Sequence, residues 1–224
     1  LGPALCLPFS GQAQTPPAEQ LPPFLTTATR TPAEAHPIGT TIDQFAAEDL
    51  ARRQVTSLAG ALGSAAGAPL FASGAAGKTT SLFLRGANSN QTLFLVDGLR
   101  LNDPNTDYAV FLGGSCISGC DSLEISHGPQ STLYGGEAVG GVVSLRAQRG
   151  SGRPTGRVAV EAGSFGTVQG VGLAQGERGA QAWNLSVQGG RTDNERRNNA
   201  FTSSNVVLRL DQRVNERASV GGTV

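Results

Sequence analysis

The chain has 224 residues, room for one large or two small domains. Hydrophobic residues make up 38% and charged residues 15%, while Gly fills 31 positions, a balance that argues against a mostly helical protein and for turns and loosely filled strands. The 17 basic and 17 acidic residues cancel, which leaves no electrostatic footprint for nucleic acid.

No residue is Met, and residues 1–14 (LGPALCLPFSGQAQ) read as the remnant of a secretory signal, with Gly11 and Ala13 at the small-residue positions ahead of a cleavage site. No run approaches the ~18 apolar residues that a membrane-spanning helix needs, so any crossing must be made by strands. Residues 15–23 (TPPAEQLPP) are proline-rich and predict an extended linker. From residue 40 the texture changes. Leu50, Leu58 and Leu62 fall at helical spacing, Thr56 or Ser57 can cap, and Gly67 can terminate, which predicts short helices around 46–54 and 57–65.

Residues 80–102 (TSLFLRGANSNQTLFLVDGLRLN) read as strand, broken by a polar connection at 87–91. Residues 82–84 and 93–96 are apolar on both alternations, so these strands are expected to be buried on both faces, with Leu84, Phe94, Leu95, Val96 and Val143 in the core. Asp97-Gly98 predicts a tight hairpin, because both residues tolerate positive φ. A strand at 122–126 leads into Gly128-Pro129, and a glycine-rich stretch feeds another strand holding Val142, Val143 and Leu145.

After Pro154 the chain alternates with a period of two. Val158 and Val160, then Trp183, Leu185 and Val187, then Val206, Leu208 and Leu210 keep one parity, while Arg157, Glu161, Asn184, Ser186, Gln188, Arg209 and Asp211 keep the other. Apolar-out and polar-in strands of about ten residues are what a membrane barrel needs, and a soluble sandwich alternates in the same way. Residues 176–180 (GERGA) fit a short turn and residues 191–199 (RTDNERRNN) a long loop, whose Asp193 and Glu195 read as solvated carboxylates.

Three motifs point elsewhere and fail on context. Residues 72–79 (ASGAAGKT) match a relaxed phosphate loop, but TSLFLRG follows, which is strand where a helix N-terminus is required. The glycines of GGEAVGG (135–141) lack dinucleotide-site spacing. Cys116 and Cys120 have no further Cys nearby, which fits a local disulfide or an incidental role better than a metal pair. His36 and His127 assemble no catalytic triad, so no catalytic residue, metal site or cofactor is assigned.

The ordered series Leu84-Arg85-Gly86, Leu95-Val96-Asp97-Gly98-Leu99-Arg100, Leu123-Glu124-Ile125-Ser126-His127-Gly128-Pro129, Leu133-Tyr134-Gly135 and Gly140-Gly141-Val142 resembles the plug of TonB-dependent outer-membrane receptors. Residues 49–102 resemble the cobalamin receptor's plug without a gap. The resemblance implies an α+β plug with a small mixed sheet and short helices, followed by the first antiparallel strands of a transmembrane β-barrel. Its divisions would be 1–14 signal remnant, 15–35 linker, 36–150 plug and 151–224 barrel strands.

The resemblance further implies energy-coupled uptake of a scarce ligand, cobalamin-like or an iron chelate, in a bacterial outer membrane and without enzyme chemistry. The TonB-coupling box would be Phe24, Leu25, Thr26, Thr27 and Ala28, a β-prone segment able to add to a partner's sheet. Arg85, Glu124 and His127 would anchor plug to barrel, with His127 standing where the family has a permanently charged arginine. Apical ligand contacts would come from residues 71–79 and 102–108, with Ser73, Asn102, Asp103, Asn105 and Tyr108 as candidates. The partners implied are TonB, the small-molecule ligand and outer-membrane lipid. Other readings are a signalling receptor of the same family, which would need a folded domain ahead of the box, and a passive porin or adhesin, which would lack box and plug.

Overall fold

The computed structural model describes residues 24–25, 33–34, 39–103, 110–115, 117–215 and 218–224. Two short strands, β1 (Phe24–Leu25) and β2 (Ala33–Glu34), pair antiparallel. Then follow β3 (Ile42–Ala46), α1 (Ala47–Arg52) and α2 (Leu58–Gly63). Ser57 caps α2 by accepting the Gly60 N–H at 3.1 Å. The helix stops short of Gly67, because Ser64 folds back at once and both its N–H and its hydroxyl reach the Ala61 carbonyl. Leu50, Leu58 and Leu62 are buried, as their spacing predicts.

A hairpin of β4 (Leu70–Ala72) and β5 (Thr80–Leu82) precedes β6 (Thr92–Val96), β7 (Leu99–Arg100) and β8 (Cys120–His127). A one-turn helix α3 (Ser131–Tyr134) leads to β9 (Gly141–Ala147). The stretch 80–102 is interrupted earlier than its composition predicts, ahead of the expected polar connection at 87–91. Arg85 and Gly86 both take positive φ, at 49° and 77°, which breaks extension after Leu84, and a 3-10 turn at Ser89–Gln91 separates β5 from β6. Asp97 and Gly98, with φ of 47° and 84°, make the expected tight turn between β6 and β7.

The five-stranded sheet runs β3-β8-β9-β6-β7, with β6 parallel to β9 and the other neighbours antiparallel. Both of its faces are covered. Phe94, Leu123, Ile125, Val143 and Leu145 pack with Leu58, Leu62, Leu82 and Leu84 on one side. Leu93, Leu95 and Val142 pack with Tyr134 and Ala138 on the other. That is why residues 93–95 are apolar at every position. Val96 is only partly buried and packs on the edge of the first cluster.

The second sheet is built of β10 (Thr155–Ala162), β11 (Val168–Arg178), β12 (Gln181–Thr192), β13 (Phe201–Arg213) and β14 (Ser219–Thr223), antiparallel in chain order. Residues 179–180 alone connect β11 to β12, and residues 193–200 form the long connection to β13. Side-chain parity follows the sequence. Val187, Val206 and Leu210 are exposed on one face, while Asn184, Ser186 and Asp211 are buried on the other. On β10, Val158 and Val160 are exposed, but so are Arg157 and Glu161, since neither face of that strand is covered. Among the described residues no helix is long and apolar enough to cross a membrane, which has no bearing on crossing by strands.

Candidate functional site

The buried polar face of β12 and β13 packs on the mixed-sheet unit. A Cβ placed on Gly119 would stand 2.4 Å from the Ser186 Cβ, so the two backbones are as close as glycine allows. Asn184 Nδ2 donates to Gln148 Oε1 at 3.5 Å. Higher up, the Phe201 ring lies over Gly77 and Gly114, where added Cβ atoms would approach it to 2.1 and 2.7 Å. Below, the Arg209 guanidinium grips Asp211 through two hydrogen bonds of 2.9 and 3.2 Å, donates to the Ala147 carbonyl at 3.1 Å and sits 3.5 Å from Asp97 Oδ1. Asp97 also accepts the Ala147 N–H at 2.9 Å and the Thr223 hydroxyl. The Asp97 carboxylate in the β6–β7 turn therefore bonds to residues of both sheets.

The residues expected to anchor plug to barrel have the following partners. Arg85 Nη2 donates to Thr41 Oγ1 at 3.0 Å. His127 Nε2 meets Asp43 Oδ2 at 2.9 Å with the imidazole buried. Glu124, also buried, lies 4.0 Å from Arg146. All these partners belong to the mixed-sheet unit. Polar contacts to the second sheet come from Asp97, Ala147 and Gln148, of which the sequence singled out only Asp97, as a turn residue. Arg209 and Asp211, two apart and on one face, carried the only usable signal.

The apical candidates also divide. Ser73 closes the β4–β5 turn, with its N–H and its hydroxyl both reaching the Thr79 carbonyl. Strand β5 follows Lys78 and Thr79 directly, so the phosphate-loop match has no helix terminus behind it. Asn102 is occupied by the edge of β6, accepting the Phe94 N–H at 2.7 Å and donating to the Thr92 carbonyl at 2.9 Å. Asp103 is exposed. Asn105 and Tyr108 lie outside the described residues, as do Thr26, Thr27, Ala28 and Cys116. Among the described residues no His, Cys, Asp and Glu group could hold a metal ion.

A family model described as TonB-dependent Receptor Plug Domain matches residues 36–142. The fold of this segment is that of a TonB-dependent receptor plug. Solved structures extend the likeness to the strands after it. The ferripyoverdine receptor of the outer membrane of Pseudomonas aeruginosa superposes with a TM-score of 0.74 at 17% identity, over 87% of this chain and 26% of that one. The alcaligin outer-membrane receptor from Bordetella pertussis gives 0.70 at 13% identity, over 86% and 32%. The ferric yersiniabactin uptake receptor from Yersinia pestis gives 0.62 at 19%, over 77% and 29%. The chain thus spans between a quarter and a third of the length of these structures. The likeness takes in the antiparallel strands β10 to β14 beside the plug fold, and the polar seam around Asp97 is where the two sheets meet.

Proposed function

We propose that this chain is the plug and opening wall of a TonB-dependent outer-membrane receptor that imports a ferric chelate under energy supplied by the inner-membrane TonB complex. The observation that carries the reading is the packing of a plug fold on the polar face of long alternating strands, with Val158, Val160, Val187, Val206 and Leu210 turned outward. A receptor of this kind has about 22 strands, against the five seen here, and an open sheet leaves unpaired backbone groups that lipid cannot satisfy. Transport therefore belongs to the complete receptor.

Between a cobalamin and an iron chelate, the named structural neighbours favour the chelate. No covalent step is required. The ligand docks at the loop end, TonB adds to residues 24–28 as a strand, and a pull releases part of the plug. The pairing of Phe24–Leu25 with Ala33–Glu34 supports the β-forming capacity that such strand addition needs. Leu25→Pro in the complete receptor removes a backbone donor from that segment. The expected result is loss of radio-iron uptake by iron-starved cells with chelate binding unchanged. Uptake at the normal rate would reduce 24–28 to a linker.

A further inference from the structure

Residues 24–28 join the mixed sheet through residues 29–41, so a pull on the coupling segment reaches β3 before any other strand of that sheet. In the order β3-β8-β9-β6-β7 this strand lies at an edge, with β8 as its one neighbour, and pairs from Ile42↔Ser126 to Ala46↔Ser122. Losing an edge strand breaks one ladder, whereas losing an interior strand breaks two. Of β3 only Phe45 is buried, with the Arg53 guanidinium over its ring, and of residues 47–55 only Leu50 is buried. The next tie comes at residues 56–58. There the Thr56 carbonyl accepts the Ile117 N–H at 3.2 Å, the Leu58 N–H donates to the Ser115 carbonyl at 3.1 Å, and Leu58 enters the core.

Side-chain bonds gather where the load arrives. Gln130 Nε2 donates to Thr40 Oγ1 at 3.3 Å, and Arg85 Nη2 donates to Thr41 Oγ1 at 3.0 Å. The His127 N–H donates to the Thr41 carbonyl at 2.9 Å, and its imidazole Nε2 lies 2.9 Å from Asp43 Oδ2. That imidazole is 3% exposed, so its pairing with the carboxylate is screened less than a surface pair. The three donors come from separate places in the chain, after β5, at the end of β8 and before α3, yet all of them hold residues 40–43.

We propose that Arg85, His127 and Gln130 form a clamp on residues 40–43 that sets the load at which the plug opens. When the clamp yields, residues 40–55 leave as one strap, while α2 and the strands β8, β9, β6 and β7 stay together. The inference rests on the transport reading and names the part of the plug that the pull releases. Thr41 and Asp43 are the strap's fastening points.

The test uses the complete receptor in a bilayer, pulled at constant load through a peptide handle placed ahead of Phe24. The first step should free residues 40–55 and so release at most roughly 55 Å of extended chain. Thr41→Val with Asp43→Ala should make that step about tenfold faster, as expected when one neutral and one charge-assisted hydrogen bond are lost. Gln44→Ala, at an exposed position of the same strand, should leave the rate unchanged. A staple tests the converse. Ile42 and Ser126 face each other beside the hydrogen-bonded Thr41–His127 pair, at the closer spacing of an antiparallel ladder, where two cysteines can be bridged. Ile42→Cys with Ser126→Cys, once oxidised, should block radio-iron uptake by iron-starved cells with chelate binding unchanged, and reductant should restore uptake; the unmodified receptor, oxidised alike, is the control. The staple decides the matter if the weakened variant does not insert. A first step well beyond 55 Å, an opening rate indifferent to Thr41→Val with Asp43→Ala, or normal uptake by the stapled receptor would overturn the clamp while leaving transport intact. No uptake by the unmodified receptor would instead remove the transport reading, and the force steps alone would then decide whether residues 40–55 leave first.

Discussion

Single substitutions along β12 test whether this sheet is a membrane wall, and the structure fixes what each face should report. With 12 residues, a strand tilted by about 45° spans roughly 28 Å, close to the hydrocarbon thickness of a bilayer. Leu185 and Val187 lie opposite Leu208 and Val206 on β13, forming an outward apolar band. Val187→Arg should cost about 2–4 kcal/mol near the midplane, while Val187→Leu should be silent. The inward face answers differently. Ser186 is buried against Gly119, whose backbone leaves no room for added volume. There Ser186→Leu and Ser186→Arg should both cost about 1–3 kcal/mol, because overpacking penalises size whatever the chemistry. The assay is equilibrium folding of the complete receptor into lipid vesicles, read by tryptophan fluorescence and by resistance to protease. A polarity penalty confined to one parity and a size penalty confined to the other is the expected pattern. If Val187→Arg is silent, the sheet does not face lipid. If Ser186→Leu is silent, the plug does not pack on it as described.

Other substitutions reach separate parts of the argument. Leu95→Ala empties a position that is 5% exposed in the second core cluster and should destabilise the plug by about 2–5 kcal/mol in urea unfolding. A loss below about 1 kcal/mol would contradict burial on both faces of β6. Gly77→Val should displace Phe201 and expose the plug-to-wall contact, read as faster hydrogen exchange at residues 73–79; unchanged exchange would remove Phe201 from that contact. A double-mutant cycle on Asp97→Asn and Arg209→Gln should give a coupling of about 1–2 kcal/mol, because side-chain exposures of 17% and 22% place the pair between surface and core. Asn retains the positive φ that Asp97 needs, so additive losses would mean the two residues are not partners.

How far the sequence could be read depended on the range of the interactions involved. Residues 93–95 announce a strand buried on both faces because every position is apolar, and that pattern is local. Asp97-Gly98 announces its turn for the same reason, and the parity after Pro154 needs only neighbours two apart. The end of α2 falls at Ser64 although Gly67 looks like the terminator, because Ser64 supplies the turning hydrogen bonds earlier. The break at Arg85 is not legible, since leucine-arginine-glycine after an apolar run looks like continuing strand. Partners of charged residues are harder still. His127 meets Asp43 across 84 positions and Thr223 meets Asp97 across 126, distances over which composition carries no register.

Glycine makes the same point from the other side. In the sequence its abundance reads as turns, and at Gly98 it is a turn. At Gly77, Gly114 and Gly119 the absence of a side chain instead makes a docking surface, into which Phe201 and Ser186 of the wall settle. Contact of this kind buries atoms with little hydrogen bonding between the two sheets. The directional bonds gather instead at the Asp97 carboxylate, where Arg209, Thr223 and the Ala147 N–H converge. In the proposed transport cycle, therefore, shape keeps the plug against the wall while one charged node fixes its register. Breaking that node exposes few unpaired groups, because Arg209 keeps its two bonds to Asp211 and Asp97 keeps the Ala147 N–H. A plug held in this way gives up the Arg209–Asp97 ion pair, the hydrogen bonds of Arg209 to Ala147, Thr223 to Asp97, Asn184 to Gln148 and Asn194 to Ala76, and a set of van der Waals contacts when it slides as a whole along β12 and β13, and its own hydrogen-bonded sheet stays intact.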